Sequence, residues 1–211
     1  RYFCVSNTFG INLCFLINNS AAVIKSKATL AIVANSAWNL YNFRRGLIDA
    51  FQEEGYRVLL IAPDGPEREK LEATGADFIP LSNLRRKGLK PLRDLRLLLE
   101  LSRIFQQEEV KGALHFTIKP TIYGSFAARR AGIVNICTLT GLGYTFLSGK
   151  KTNKLVRMLY RLALGSADAV FFHNPDDLSL FVGDHLTPEA KSSVVAGSGL
   201  QLSDYPYTNY Q

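Results

Sequence analysis

From Ala28 to Ala196 the chain alternates short apolar runs with helix-like segments, and that alternation leaves few folds open. Ala28–Ala34 is an apolar run of strand length, the mark of a strand buried on both faces. Phe43, Leu47, Ile48 and Phe51 then recur at helical spacing, and Gly55 closes that helix. Further strands are expected at Arg57–Ala62, Asp77–Pro80, Gly112–Thr117, Val134–Leu139, Ala169–Phe172 and Ser193–Ala196. Helices are expected at Glu67–Thr74, from Pro91 onward, and at Ile122–Ala131, Thr152–Leu164 and Asp176–Phe181. Short joints between such units imply an α/β fold: a Rossmann-like, doubly wound, mostly parallel sheet with helices on both faces.

In the helix opened by Pro91, Leu92, Leu95, Leu98 or Leu99, and Leu101 are expected to be buried, with Arg93, Arg96, Glu100 and Arg103 facing water. In Thr152–Leu164, Lys154, Arg157 and Arg161 share one face with the preceding Lys150, and Leu155, Val156, Leu159 and Leu162 occupy much of the other.

The net charge of +7 is regional. No Asp or Glu occurs from Val110 to Ala167, a stretch with nine bases, whereas the rest of the chain is slightly acidic. Such a surface suits an anionic partner: substrate phosphates, a lipid surface or nucleic acid. No nucleic-acid motif is present. Three scattered cysteines give neither a CxxC pair nor a disulfide framework and fit a reducing cytoplasm; three isolated histidines give no metal spacing, so no metal is expected. The apolar stretch Ile11–Ile17 is too short to span a membrane.

In a parallel sheet, ligands bind in the loops beyond the carboxyl ends of the strands. That rule nominates Asn35–Arg45, the segment after Phe116, Thr140–Gly149 and His173–Asp177. The first lacks G-x-G-x-x-G, which disfavours a dinucleotide-binding dehydrogenase or epimerase. It offers amide, indole, phenol and guanidinium groups instead. Trp38 and Tyr41 suit either stacking on a sugar or packing of the helix start. Lys119, beside Pro120 at the fourth strand's exit, suits an anion site. Thr140-Gly-Leu-Gly143 lets backbone approach a ligand closely. His115, three residues before Ile118, reads either as a histidine of the sheet core or as a histidine of the cleft.

Taken together, Asn42-Phe-Arg44, Gly55-Tyr-Arg-Val58, Pro91-Leu-Arg-Asp-Leu95, Thr117-Ile-Lys-Pro120, Tyr123-Gly124, Thr140-Gly-Leu-Gly143, Phe171-Phe-His-Asn-Pro-Asp-Asp177 and Gly197-Ser-Gly-Leu-Gln-Leu-Ser-Asp-Tyr-Pro206 resemble the N-terminal domain of retaining family 4 glycosyltransferases. The subgroup is the one that builds lipid-linked oligosaccharides and surface polysaccharides, of the two-domain GT-B type. The resemblance covers about Ala28 to Pro206. It implies an N-terminal extension at 1–27, an acceptor-binding domain at 28–206, and at 207–211 the start of a linker to a donor-binding C-terminal domain that this sequence lacks. It implies transfer of a hexosyl or N-acetylhexosaminyl group from a UDP-sugar to a glycan acceptor on a polyprenyl diphosphate, with no cofactor held by this domain and no turnover by it alone. Trp38, Asn42, Arg44, Lys119, Gly141, Gly143 and Asn174 fall at acceptor-facing positions. The principal catalytic residues belong to the second domain, with Lys119 and His173 as candidates here. A histidine that many relatives carry near the fourth strand's tip is replaced by Ile118 or Lys119. The bases Arg85, Arg86, Lys87, Lys150, Lys154, Arg157 and Arg161 suit an anionic membrane, placing the protein peripherally on its cytoplasmic face. A non-catalytic module binding phosphorylated glycans or lipid is the alternative reading.

Overall fold

The computed structural model describes residues 28–85, 88, 90–141 and 150–198, the side chains of 150–153 excepted. Seven parallel strands form one sheet in the order β3-β2-β1-β4-β5-β6-β7. They are β1 (Thr29–Val33), β2 (Arg57–Ala62), β3 (Asp77–Pro80), β4 (Val110–Phe116), β5 (Val134–Leu139), β6 (Ala169–Phe172) and β7 (Ser192–Val194). The chain steps outward from β1 to β3, then crosses to β4 on the other side of β1. This reversal opens a crevice between the carboxyl ends of β1 and β4.

The helices are α1 (Ala37–Glu53), α2 (Arg68–Glu72), α3 (Pro91–Gln107), α4 (Ser125–Ala131), α5 (Lys150–Gly165) and α6 (Pro175–Gly183). A π-helical turn, Pro120–Gly124, leads into α4. The first helix begins at once after β1 because the Ser36 hydroxyl accepts from the amide of Asn39 at 3.2 Å. It ends where Gly55, at φ 85°, lets Tyr56 N reach Phe51 O at 3.0 Å.

The two sheet faces bury different helices. Leu40, Leu47, Ile48 and Phe51 of α1 pack on Leu30, Ile32, Val58 and Leu60. On the opposite face, Leu97, Leu101, Ile104 and Phe105 of α3, with Ala127 and Ala128 of α4, cover Ala31, Val33, Leu59 and Ile61. Val156, Tyr160 and Leu164 of α5 continue that layer over Cys137, Leu139, Val170 and Phe172. The central strands are thus buried on both sides, which is why they read as apolar runs, whereas the edge strands β3 and β7 are only partly buried.

Two helix faces differ from the sequence expectation. In α3, Leu97, Leu101, Ile104 and Phe105 are buried, while Leu92, Leu95 and Leu99 are exposed. In α5, Val156 is buried, whereas Leu155, Met158 and Leu162 face outward. Each helix carries two apolar stripes, and the sheet takes only one. The loop expected over Asn35–Arg45 is also mostly helix, because the Ser36 cap starts α1 at Ala37.

Candidate active-site cleft

The chain leaves β4 under strain. Thr117 has φ 72°, a left-handed conformation that a β-branched residue rarely adopts. Thr121 N donates to its carbonyl at 3.0 Å, an α-type bond at the entry to the π-helical turn. The Thr117 hydroxyl is buried without a partner. Strain, an orphan hydroxyl and a π turn at the switch point make this strand exit a candidate site. The sequence motif contained Thr117 but gave no sign of its backbone angle. At the end of β5, Gly141 has φ 137°, a conformation suited to glycine, and leaves backbone open to a ligand.

Beside this exit lies Arg44. Although charged, it is only 2% exposed. Its guanidinium stacks 3.8 Å from the centroid of the Phe116 ring, and Nη1 donates to Phe43 O at 3.3 Å. Its Nε has no partner, and no carboxylate pairs with it among the described residues. Burial pulls its pKa down to about 10, so it stays protonated at neutral pH. His173, just beyond β6, is half-buried with Nε2 unpartnered. Burial first, and then the nearby Arg44 charge, lower its pKa below the usual histidine value. An uncompensated cation beside a neutral imidazole is a place for an oxyanion.

Lys119 behaves differently from the sequence expectation. Its ammonium is not open to a ligand: Nζ lies 2.7 Å from Asp94 Oδ1, with the two side chains 10% and 3% exposed. Asp94 also accepts from Lys90 N at 3.0 Å, and the Tyr123 hydroxyl bonds the same carboxylate. The anion beside Lys119 is the protein's own. The carboxylate that takes it stands 25 positions upstream, on the first turn of α3.

The other expected residues are dispersed. Trp38 is exposed on the first turn of α1, with its ring edge-on to Phe43 at 5.3 Å, so the indole offers a surface. Asn42 turns back along the helix, donating to Trp38 O at 2.9 Å. Asn174 caps α6, accepting from Asp177 N at 2.8 Å, and Nδ2 donates to Asp177. Its amide is therefore engaged locally. Of the basic residues, Arg85 and Lys154 are exposed. Arg157 pairs with Asp184, and Arg161 donates to the carbonyls of His185 and Asp184, so these two are drawn toward the end of α6. Arg86, Lys87 and Gly143 lie outside the described residues, as does the side chain of Lys150. His115 is a core residue: fully buried, and packed against Phe105. Among the described residues, no group of three potential ligands could hold a metal ion.

The sequence matches a family model, Glycosyl transferase 4-like, over residues 29–174. The chain belongs to this family. No curated protein matches it in sequence. Among solved structures this glycosyltransferase-family domain is similar to MurG of Acinetobacter baumannii, with 18% identity and a TM-score of 0.54, covering 86% of this chain and 48% of that one. It is also similar to Anabaena HepE in complex with UDP-glucose, with 16% identity, a TM-score of 0.57 and coverage of 84% and 45%. A putative UDP-N-acetylglucosamine 2-epimerase from Listeria monocytogenes gives 12% identity, a TM-score of 0.60 and coverage of 79% and 44%. The chain spans about half the length of these structures. The domain therefore has the Rossmann-like fold of a GT-B half. That fold is common to the transferases and the epimerase, and the family model that matches is the glycosyltransferase one.

Proposed function

We propose that this domain binds the acceptor in a retaining glycosyltransferase. The enzyme moves a hexosyl or N-acetylhexosaminyl group from a UDP-sugar to a glycan carried on a polyprenyl diphosphate, at the cytoplasmic face of the cell membrane. A C-terminal domain binds the donor and supplies the principal catalytic groups, so the present chain alone gives no turnover. HepE, with UDP-glucose bound, supports the choice of donor. The observation that carries the acceptor assignment is Arg44: buried, charged and without a carboxylate at the switch point. It suits an acceptor phosphate, with Trp38, on the same helix, as an apolar platform. Catalysis then rests on positioning and on electrostatic stabilisation of the leaving diphosphate.

The test uses the full-length protein with UDP-sugars and polyprenyl-diphosphate glycans. Transfer with retention is expected, and Arg44→Met should raise the acceptor KM roughly tenfold, the loss of one charge-assisted hydrogen bond, at unchanged donor affinity. Tight glycan binding without any transfer overturns the enzymatic reading in favour of a binding module. An unchanged acceptor KM removes Arg44 from the site.

A further inference from the structure

Two segments 25 positions apart meet at one carboxylate beside the cleft. Asp94, on the first turn of α3, accepts from Lys119 Nζ at 2.7 Å, from Lys90 N at 3.0 Å and from the Tyr123 hydroxyl. Lys119 stands just before the π-helical turn Pro120–Gly124, and Tyr123 lies within it. One side chain of α3 thus grips the turn at its entry and near its end. On the other side, Gly124 sits so close to the His115 ring of β4 that a Cβ there would overlap it. The turn is held between helix and strand.

What is held is a backbone that resists its own conformation. Thr117, two residues before Lys119, has φ 72°, which a β-branched side chain disfavours. Such a conformation persists only where its surroundings over-determine it. The bond from Thr121 N to Thr117 O is a single neutral hydrogen bond, weak against that strain. The bonds to Asp94 are of another kind. They include a charge-assisted pair whose side chains are 10% and 3% exposed, where water does little to weaken it. Joining the helices does not require this chemistry, because Leu97 and Leu101 already share an apolar cluster with Ala127 and Ala128 of α4. An apolar pair in place of Asp94 and Lys119 would join them about as firmly, so the ionic bonds bring direction rather than strength. The residue before Thr117 is Phe116, the ring on which the Arg44 guanidinium stacks at 3.8 Å. A turn that relaxes at Thr117 shifts that ring and the cation lying on it.

We propose that Asp94 is a positioning residue for the acceptor: through Lys119 and Tyr123 it holds the β4 exit in its left-handed turn, and so keeps Phe116 and Arg44 in place for the acceptor phosphate. Asp94 itself is buried under its three donors and touches no ligand. The inference rests on the proposed function for the identity of the ligand, but the grip on the turn requires no sugar transfer.

The experiment reads two quantities on the full-length protein: hydrogen–deuterium exchange of the segment 117–124 by mass spectrometry, and the KM values for acceptor and donor. Exchange should quicken about fivefold in Tyr123→Phe and about tenfold in Asp94→Asn, the loss of one neutral and one charge-assisted bond. Acceptor KM should rise in the same order, by about threefold or more in Asp94→Asn, at unchanged donor KM, because less of the protein holds the competent turn. Adding Thr117→Gly to Asp94→Asn should bring both quantities back toward the parent by about threefold, since glycine takes φ 72° without that strain. If Asp94→Asn does not fold, Tyr123→Phe, which keeps the ring and its packing, carries the test. Unchanged exchange in the segment overturns the proposal. So does turnover that falls at unchanged acceptor KM, the mark of lost folded protein alone, and so does a Thr117→Gly change that deepens the defect. Exchange is read without sugar, so a parent that transfers nothing counts against the proposed function while the segment still decides the grip of Asp94. A raised acceptor KM in Arg44→Met beside parent-like Asp94→Asn and Tyr123→Phe overturns the positioning role alone.

Discussion

Replacing Lys119 with alanine leaves the Asp94 carboxylate without its cation in a place where water scarcely reaches it. The separation of 2.7 Å and side-chain exposures of 10% and 3% make this a buried pair rather than a surface bridge. Removing one member of such a pair costs about 3–5 kcal/mol, because the remaining charge stays desolvated. That is a large fraction of the roughly 5–15 kcal/mol that holds a domain folded. For a domain of this size it lowers Tm on the order of 10 °C. The hydrogen bonds to Asp94 from Lys90 N and the Tyr123 hydroxyl remain and soften the loss. Circular dichroism during thermal and urea unfolding measures it. The double variant Lys119→Met/Asp94→Leu should recover most of the stability, since an apolar pair replaces the ionic one. Recovery should fall short by about 1 kcal/mol, the value of the hydrogen bond that the Asp94 carboxylate accepts from Lys90 N. If Lys119→Ala melts like the parent while sugar transfer collapses, the ammonium serves the ligand and the structural reading of the pair is wrong.

Two further expectations concern His115. A Cβ on Gly124 overlaps the His115 ring, so Gly124→Ala should cost about 1–3 kcal/mol through overpacking, and much less in a His115→Ala background; equal costs in both backgrounds refute the contact. Burial pushes the His115 pKa down to about 3, so between about pH 6.5 and 3 the unfolded chain takes up a proton that the folded chain refuses. Stability is then complete above about pH 6.5 and falls with acidification by up to about 1.4 kcal/mol per pH unit, with His173 adding in the same direction. Urea midpoints across that range should show a shallower slope for His115→Leu, and identical slopes would exclude the histidine as the source.

The central strands were legible because burial on both faces leaves an apolar run, so β2, β5 and β6 fall where the residues alone place them, and the partly buried edge strand β3 does too. The helix faces were not. In α3, apolar residues stand at 92, 95, 97, 98, 99, 101, 104 and 105, so two stripes compete and periodicity favours neither. The choice is made by tertiary contact: the sheet takes Leu97, Leu101, Ile104 and Phe105, and the Asp94–Lys119 bond fixes the rotation. The same long-range bond explains Lys119. Seen locally, a lysine beside a proline at a strand tip resembles an anion site; its partner comes from a distant helix. Backbone strain at Thr117 has no local signature, because threonine itself disfavours that conformation.

With Lys119 neutralised by Asp94, Arg44 is a cation of the cleft that has no carboxylate partner among the described residues. A pKa lowered from 12.5 to about 10 corresponds to about 3 kcal/mol of lost solvation for the charged form. Stacking on Phe116 returns about 2 kcal/mol and the bond to Phe43 O about 1 kcal/mol, so the folded chain holds this charge at little net gain or loss. Stability therefore gives no strong reason for an arginine here, and a methionine of similar volume could fill the space about as well. What methionine cannot do is meet an anion. An oxyanion arriving beside Arg44 recovers electrostatic energy that the fold leaves unused, in a medium where water does not compete for it. It also screens the charge that helps keep His173 neutral, so the same event moves that imidazole back toward protonation. The physical case for a binding role rests on this imbalance: the charge is nearly neutral for folding and strongly favourable once a ligand is present.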